Sequence, residues 1–370
     1  MKVCIDAKIL FENGLISDYS RYQLDAFRMI EKEIPQVEFC FLTGKMPENG
    51  DAYPKKSQFL TGKALPGMTG WKIWNNLQIP AMVKRAGASI LIKPGGVYSP
   101  KSLPQVVWLP GKRNYFNDKK LSSWLGRELE TTIKKASVIV TDAERNAQYL
   151  REKFPNGDKI LVFPPINKGT EMVLTGEEKE KLRKEFAEGK EFFFLDIGPN
   201  CEVEIKPILQ GFSQFKKMQK SNMQLVIGGL SNAGYKEVND LLEGFRFRQD
   251  VHVLPENSNQ RIREIQKGAY ALLLPEASTF TLARAYASKV PVIENANAKD
   301  QPINKDPAPL TDFANSNLLG EQLMKIYKNE SYRDQLIREG NNLQILHMQQ
   351  ADIKVFWKKI TDLLIASPIV

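Results

Sequence analysis

Residues 264–293, EIQKGAYALLLPEASTFTLARAYASKVPVI, decide the fold. The stretch opens on a short amphipathic helix and passes into residues 269–275, an apolar run of strand length flanked by turn-formers. Such a run predicts a strand buried on both faces. The loop behind it carries Ser278 and Thr279, both good N-caps for a helix begun by Thr281 and Leu282. That helix is expected to end near Ser288-Lys289, and residues 290–293 to form the next short buried strand. The result is a β-loop-α-β unit whose helix N-terminus faces whatever lies beyond the strand's carboxyl end. A helix end so placed is a ready anion site.

Working outward, 370 residues are enough for two or more domains, each with its own core. No apolar run reaches the roughly 18 residues that a spanning helix needs. The opening MKVCIDAKIL predicts a first strand, not a signal peptide. Three scattered cysteines, Cys4, Cys40 and Cys201, predict free thiols in a reducing cytoplasm. The two histidines, His252 and His347, sit in no recognisable motif, which argues against a His/Cys metal cluster or a Ser-His-Asp triad. His252 lies in a predicted strand and has a structural reading.

The charge is uneven. The chain is +9 overall, yet residues 1–170 alone hold 26 Lys/Arg against 16 Asp/Glu. Within that half, residues 52–117 contain ten Lys/Arg and no acid. This is a regional property and predicts a positive face, expected around Lys55, Lys56, Lys84 and Arg85, suited to an anionic membrane surface. Nucleic acid is a weaker partner, because charge alone speaks for it. Trp71, Trp74, Trp108 and Phe59 lie in the same zone. Trp108, on a predicted central strand, is expected in the core, while the Trp71/Trp74 pair fits either the core or a membrane interface.

In chain order, strands are predicted over 1–10, 37–43 and 136–141, with a helix over 18–30 bearing Tyr22, Ala26, Phe27 and Ile30 on one stripe. A helix is expected over 121–135, and the polar residues 167–190 read as a linker. Ile197-Gly198 closes the first strand of a second domain, and residues 224–229 and 251–254 supply further buried strands. The segment 351–366 sets Phe356, Trp357, Ile360 and Leu364 at helical spacing.

Pro275, Glu276, Ala285, Ala287 and Val290-Pro291-Val292-Ile293 stand in the ungapped register of a signature of the family 4 glycosyltransferases, which this chain resembles. A second likeness runs through WKIWNNLQIPAMVKRAGASILIK (71–93) and the strand 104–109. The resemblance implies the GT-B fold: two Rossmann-like α/β domains facing a cleft. Residues 1–168 would form the acceptor-side domain and 185–345 the donor-side domain, with 346–370 as a C-terminal helix crossing back to the first. It further implies sugar transfer from a nucleotide-diphosphate sugar to a glycan or lipid-linked acceptor in cell-envelope glycan synthesis. Retention of configuration, no cofactor and no metal go with it, as does a cytoplasmic place peripheral to the inner face of the membrane. Gly14, Gly198, Lys206, Glu276, Ser278, Thr279, Phe280 and Arg284 are the donor-binding positions so implied. Glu276 is the side chain on which catalysis would depend, and Tyr19 and Arg21 are looser equivalents of an Arg/Tyr-bearing helix.

The chain also departs from that pattern. The glycine loop is Ala277–Phe280, the second Glu is Arg284, and a His-Asp pair is replaced by Pro110-Gly111. Glu202, Val203 and Glu204 stand where the family places Arg-Lys-Asn, leaving Lys206 as the nearest substitute cation. Arg284 is placed either to meet a phosphate or to pair with Glu276. A degenerate glycosyltransferase is therefore expected, with a catalytically inactive pseudo-glycosyltransferase acting as a binding partner or scaffold as the alternative.

Overall fold

The structure, a computed structural model, describes the chain except residues 9, 11–17, 47–52, 64, 95–96, 101–102, 110–127, 129, 154–156, 166–172, 199–202, 256–258, 297–307 and 367–370. The chain divides into two compact units: unit 1 is Met1–Pro165 with Met348–Val370, and unit 2 is Ile166–His347.

Unit 1 is built on strands β1 (Lys2–Asp6), β2 (Glu38–Thr43), β3 (Gln58–Thr61), β4 (Ile90–Pro94), β5 (Gln105–Trp108), β6 (Val138–Thr141) and β7 (Ile160–Val162). They form one parallel sheet in the order β3-β2-β1-β4-β5-β6-β7. Its central strands are buried throughout, as apolar runs on a sheet covered on both faces must be. Helix α1 (Asp18–Glu33) buries Tyr22, Ala26, Phe27 and Ile30. Helix α2 (Gly67–Ile73) runs through a π-helical turn, Trp74–Gln78, into α3 (Ile79–Ala86), which stops at Gly87 in the left-handed conformation. Pro80 falls in the first turn of α3, where its missing N–H costs nothing. Helix α4 (Glu144–Lys153) precedes β7.

Unit 2 contains α5 (Gly176–Phe186), β8 (Phe192–Asp196), α6 (Ile205–Met218), β9 (Gln224–Gly228), α7 (Asn232–Leu242) and β10 (Val251–Val253). It continues through α8 (Asn259–Gly268), β11 (Ala271–Leu274), α9 (Thr279–Ala287), β12 (Val292–Asn295), β13 (Leu310–Thr311), α10 (Ser316–Lys328) and α11 (Glu330–Gln350). Its parallel sheet has the order β10-β9-β8-β11-β12-β13. Counted from each unit's first strand, both sheets begin 3-2-1-4-5-6, the doubly wound order that opens a crevice between first and fourth strands at their carboxyl ends. The last helix, α12 (Ile353–Ala366), belongs to unit 1. Its Phe356 ring lies 4.5 Å from Phe163 and 6.1 Å from Trp108, and Lys354 pairs with Glu33 of α1.

Two readings need correction, and one that stood open is decided. Residues 167–190 are not all linker: α5 lies inside them, started by a capping box in which Thr175 and Glu178 satisfy each other's backbone N–H. Helix α9 begins at Thr279, two residues early, so Ser278 alone is the cap. Trp71 and Trp74 are core residues, not interfacial ones, with Trp74 fully buried. Trp108 is buried as well. His252 sits on β10 with Nε2 3.0 Å from Gln224 Oε1, a structural placement, and Cys4 and Cys40 are buried free thiols.

Candidate functional site

In unit 2 the first strand, β8, ends on Asp196, and the fourth, β11, ends on Leu274 with Pro275-Glu276 behind it. The switch point of the sheet therefore lies between Asp196 and Glu276. Asp196 Oδ2 accepts a 2.6 Å bond from Gln266 Nε2 on α8. Gln266 Oε1 in turn accepts from Arg284 Nε at 3.4 Å, and Arg284 Nη2 donates to Thr281 Oγ1 at 3.3 Å. Ser278 Oγ caps α9 by accepting from the Thr281 backbone N–H at 3.1 Å. One polar chain thus runs from the end of β8, through α8, to the first turns of α9.

Glu276 and Ser278 are half-buried at this edge, while Thr279 and Phe280 turn their side chains inward. What residues 279 and 280 offer a ligand is backbone in a helix's first turn. Arg284 donates to Gln266 and to Thr281, which ties the guanidinium to the α8–α9 network. Lys206 is exposed near the start of α6, next to exposed Glu204. Gly198 has φ of 70°, and Gly229 beside it has φ of 77°. A Cβ on Gly229 would stand 2.7 Å from Gly198 N and 2.9 Å from Asp196 Oδ1, so glycine there is what lets the two loops meet. Gly14, Glu202 and Pro110-Gly111 lie outside the described residues. Asp196 and Gln266 were missed by the sequence reading. The available signal was a carboxylate closing the otherwise apolar FFFLD strand.

The same point of unit 1 is occupied by a sealed cluster. Asp6 closes β1, and its Oδ2 lies 2.7 Å from Lys93 Nζ on β4, with both side chains only 2% exposed. Trp74 Nε1 donates to Asp6 Oδ1 at 2.8 Å, and Lys93 also donates to Asn75 Oδ1 at 2.8 Å. The wider π turn lets the consecutive residues Trp74 and Asn75 both face inward. Burial pushes the Lys93 ammonium below its usual range, against the pull of Asp6. Lys93 was counted with the basic zone, and the structure places it inside the unit. Its signal in the sequence was one cation within the apolar strand ILIKP.

Among the described residues, the exposed remainder of that zone is Lys55, Lys56, Lys63, Lys72, Lys84 and Arg85. The backbone N–H groups of Lys55 and Lys56 donate to the Glu31 carboxylate, so an acid from α1 stands at that end. Along α2, the π turn and α3, Lys72, Lys84 and Arg85 share the outer surface with Leu77, which is 67% exposed; Leu65, just ahead of α2, is 45% exposed. No helix among the described residues is long and apolar enough to cross a membrane, and no described His/Cys/Asp/Glu group could hold a metal ion.

No protein-family model matches the chain, and no curated protein is similar enough to be matched. Solved structures are similar in fold. Sucrose-phosphate synthase from Thermosynechococcus elongatus superposes with a TM-score of 0.72 at 11% identity, covering 100% of both chains. A glycosyltransferase from Rickettsia africae gives 0.70 at 12% identity, over 99% of each chain. Anabaena HepE, solved with UDP and glucose, gives 0.66 at 11% identity, over 99% of this chain and 100% of its own. Two parallel Rossmann-like halves, together with these likenesses, give this chain the GT-B fold.

Proposed function

We propose that the chain binds a nucleotide-linked sugar at the carboxyl edge of the unit 2 sheet and acts as a glycosyltransferase with a rebuilt grip on the donor. The observation that carries this is the placement of Glu276 and the capped N-terminus of α9 together at the switch point, in a fold that in HepE accompanies UDP. Glu276 suits sugar or ribose hydroxyls as a carboxylate acceptor. The likeness to family 4 would add retention of configuration, independence of metal, and a glycan or lipid-linked acceptor of the cell envelope. The outer face of α2 and α3, cationic with Leu65 and Leu77 exposed, fits peripheral attachment to an anionic bilayer.

The diphosphate grip is where binding should be weak. Glu202 and Val203 stand where the family places its cationic Arg-Lys pair, and each charge-assisted hydrogen bond is worth about 1.5–3 kcal/mol. Titration and turnover with a panel of nucleotide sugars test the reading. Dissociation constants above the low micromolar range are expected, and turnover that Glu276→Ala abolishes without moving the melting temperature. Unchanged turnover in that variant removes Glu276 from the site. Binding without turnover across the panel would favour the second reading, a non-catalytic nucleotide-sugar-binding partner, for which the Pro110-Gly111 replacement of a His-Asp pair is the supporting observation.

A further inference from the structure

Three cations gather at the amino end of the unit 2 sheet, opposite the edge that carries Glu276. Lys179 and Arg183 stand one turn apart on α5. Arg183 Nη2 pairs at 2.8 Å with Glu191, the residue ahead of β8. Tyr270, the residue ahead of β11, is fixed beside that strand by a 2.8 Å bond from its backbone N–H to Phe192 O. The guanidinium of Arg333, near the start of α11, lies over the Tyr270 ring at 4.5 Å from its centroid. Its Nε is buried with no acceptor among the described residues, and so is that of Arg183. Burial raises the Tyr270 phenol above its usual range, against the pull of Arg333. The ring therefore stays neutral and holds the guanidinium without cancelling its charge. Burial pushes the Lys179 ammonium down; Arg333 and Arg183 push the same way, and Glu191 pulls back. All three cations are half-buried. Glu191 is the acid inside the cluster, and Glu330, exposed in the first turn of α11, acts on Tyr270. Like charges this close, partly withdrawn from water, favour an anion that answers them.

From this geometry we infer that the amino edge of unit 2 is a binding site for a phosphate dianion, free or as a monoester headgroup, held by Arg183 and Arg333 with Lys179 as the third charge. Guanidinium forks meet phosphate oxygens in pairs, and an ammonium supplies a point charge beside them. Glu191 already occupies part of the Arg183 fork, so it competes with the ligand. The site lies at the opposite end of the strands from the nucleotide reading above and does not depend on it.

The test titrates the full chain with inorganic phosphate, reading heats. Arg333→Gln should weaken binding about tenfold or more, the size of one lost charge-assisted bond. Lys179→Gln should weaken it by a smaller factor, and it carries the measurement if Arg333→Gln does not fold. Glu191→Gln should act in the opposite direction and tighten binding, because it frees the Arg183 fork; a merely structural role for these residues would give a loss there too. Vesicles with and without phosphatidate separate the sources. Sedimentation that needs phosphatidate and is lost in Arg333→Gln would assign a lipid headgroup, and binding of phosphate in solution alone would assign a free ligand. A wild-type chain that binds neither phosphate nor phosphatidate overturns the inference, and the nucleotide reading is left standing. So does binding that Arg333→Gln and Lys179→Gln leave unchanged, or that Glu191→Gln weakens.

Discussion

Each unit closes its first strand with an aspartate, Asp6 on β1 and Asp196 on β8, at the same point of the same strand order, and the two are handled in opposite ways. Asp6 meets a cation directly, inside the unit, and the pair is roofed by Trp74 and Asn75. Asp196 meets a neutral amide, half-exposed, and the cation stands one residue further on. At its other edge unit 2 sets a second amide beside a direct ion pair, Lys216 Nζ to Asp250 Oδ2 at 3.0 Å. There Gln224 donates to Asp250 Oδ1 and presents Oε1 to His252. A sealed ion pair fixes a crevice shut, because neither charge can turn toward a ligand without leaving the other buried alone.

The largest expected effect tests the sealed pair. Lys93→Met should cost about 3–5 kcal/mol of stability in chemical denaturation, because it leaves Asp6 buried without a cation. Asp196→Asn should cost no more than about 1.5 kcal/mol, since an amide can still accept from Gln266. Equal costs would break the comparison. Next in size is Gly229→Ala, whose Cβ would crowd both Gly198 N and Asp196 Oδ1 at a positive φ. A loss of about 1–3 kcal/mol is expected, with the Asp196–Gln266 contact displaced. A neutral result would mean that the loops at the end of β8 have room to move, and that Asp196 is less fixed than Asp6.

How much of this was legible follows from what each signal depends on. Buried strands announce themselves by local composition, and ALLL, VIVT and FFFL were all readable as such. Edge strands do not: β3 is QFLT, polar at both ends, because only half its surface is covered. Helix α5 hid because its eleven residues are nearly all charged, and only the Thr175–Glu178 box marked it. The position of Glu276 and the α9 cap were readable because they lie within a few residues of a strand end. The partners of Asp6 and Asp196 lie 87 and 70 residues away, so their pairing is a product of strand order. For the same reason Lys93 was legible as a cation and illegible as a buried one.

Outside the sealed pair, unit 1 carries cations of the opposite kind, exposed, with Lys72 on α2 and Lys84 and Arg85 on α3. If Lys84 and Arg85 face an anionic bilayer, Lys84→Glu with Arg85→Glu should lower liposome co-sedimentation by roughly 1 kcal/mol for each charge near the surface. Binding by the wild-type chain should need anionic lipid and fade toward about 0.5 M salt. Leu77→Asn should weaken it further, as Leu77 supplies apolar contact that charge does not. Equal sedimentation with neutral and anionic vesicles at low salt would mean that these cations serve solubility. The comparison would then rest on the interior clusters alone.

The smallest effect asks whether the amide spacer at Gln224 tolerates a charge on His252. Burial holds the His252 imidazole below its usual 6.5, with Glu188 and Asp250 pulling it up and Lys190 pushing it down. Gln224 Nε2 is already committed to Asp250 and to Asn222 O, so Oε1 is the acceptor and His252 Nε2 carries the proton. In the folded chain the ring stays neutral to a lower pH than in the unfolded chain. As pH falls below about 6.5 the unfolded state takes up the proton first, binds more protons than the native state, and stability declines with falling pH until the folded value is passed. Above 6.5 the group contributes no pH dependence. Thermal unfolding of the wild type and His252→Gln between pH 7.5 and 5.5 isolates this term, because glutamine keeps a donor toward Gln224 and does not titrate. The wild type should show the steeper decline, by at most about 1.4 kcal/mol per pH unit. Parallel profiles would show that the folded edge accepts the imidazolium, with Glu188 and Asp250 offsetting the cost of burial.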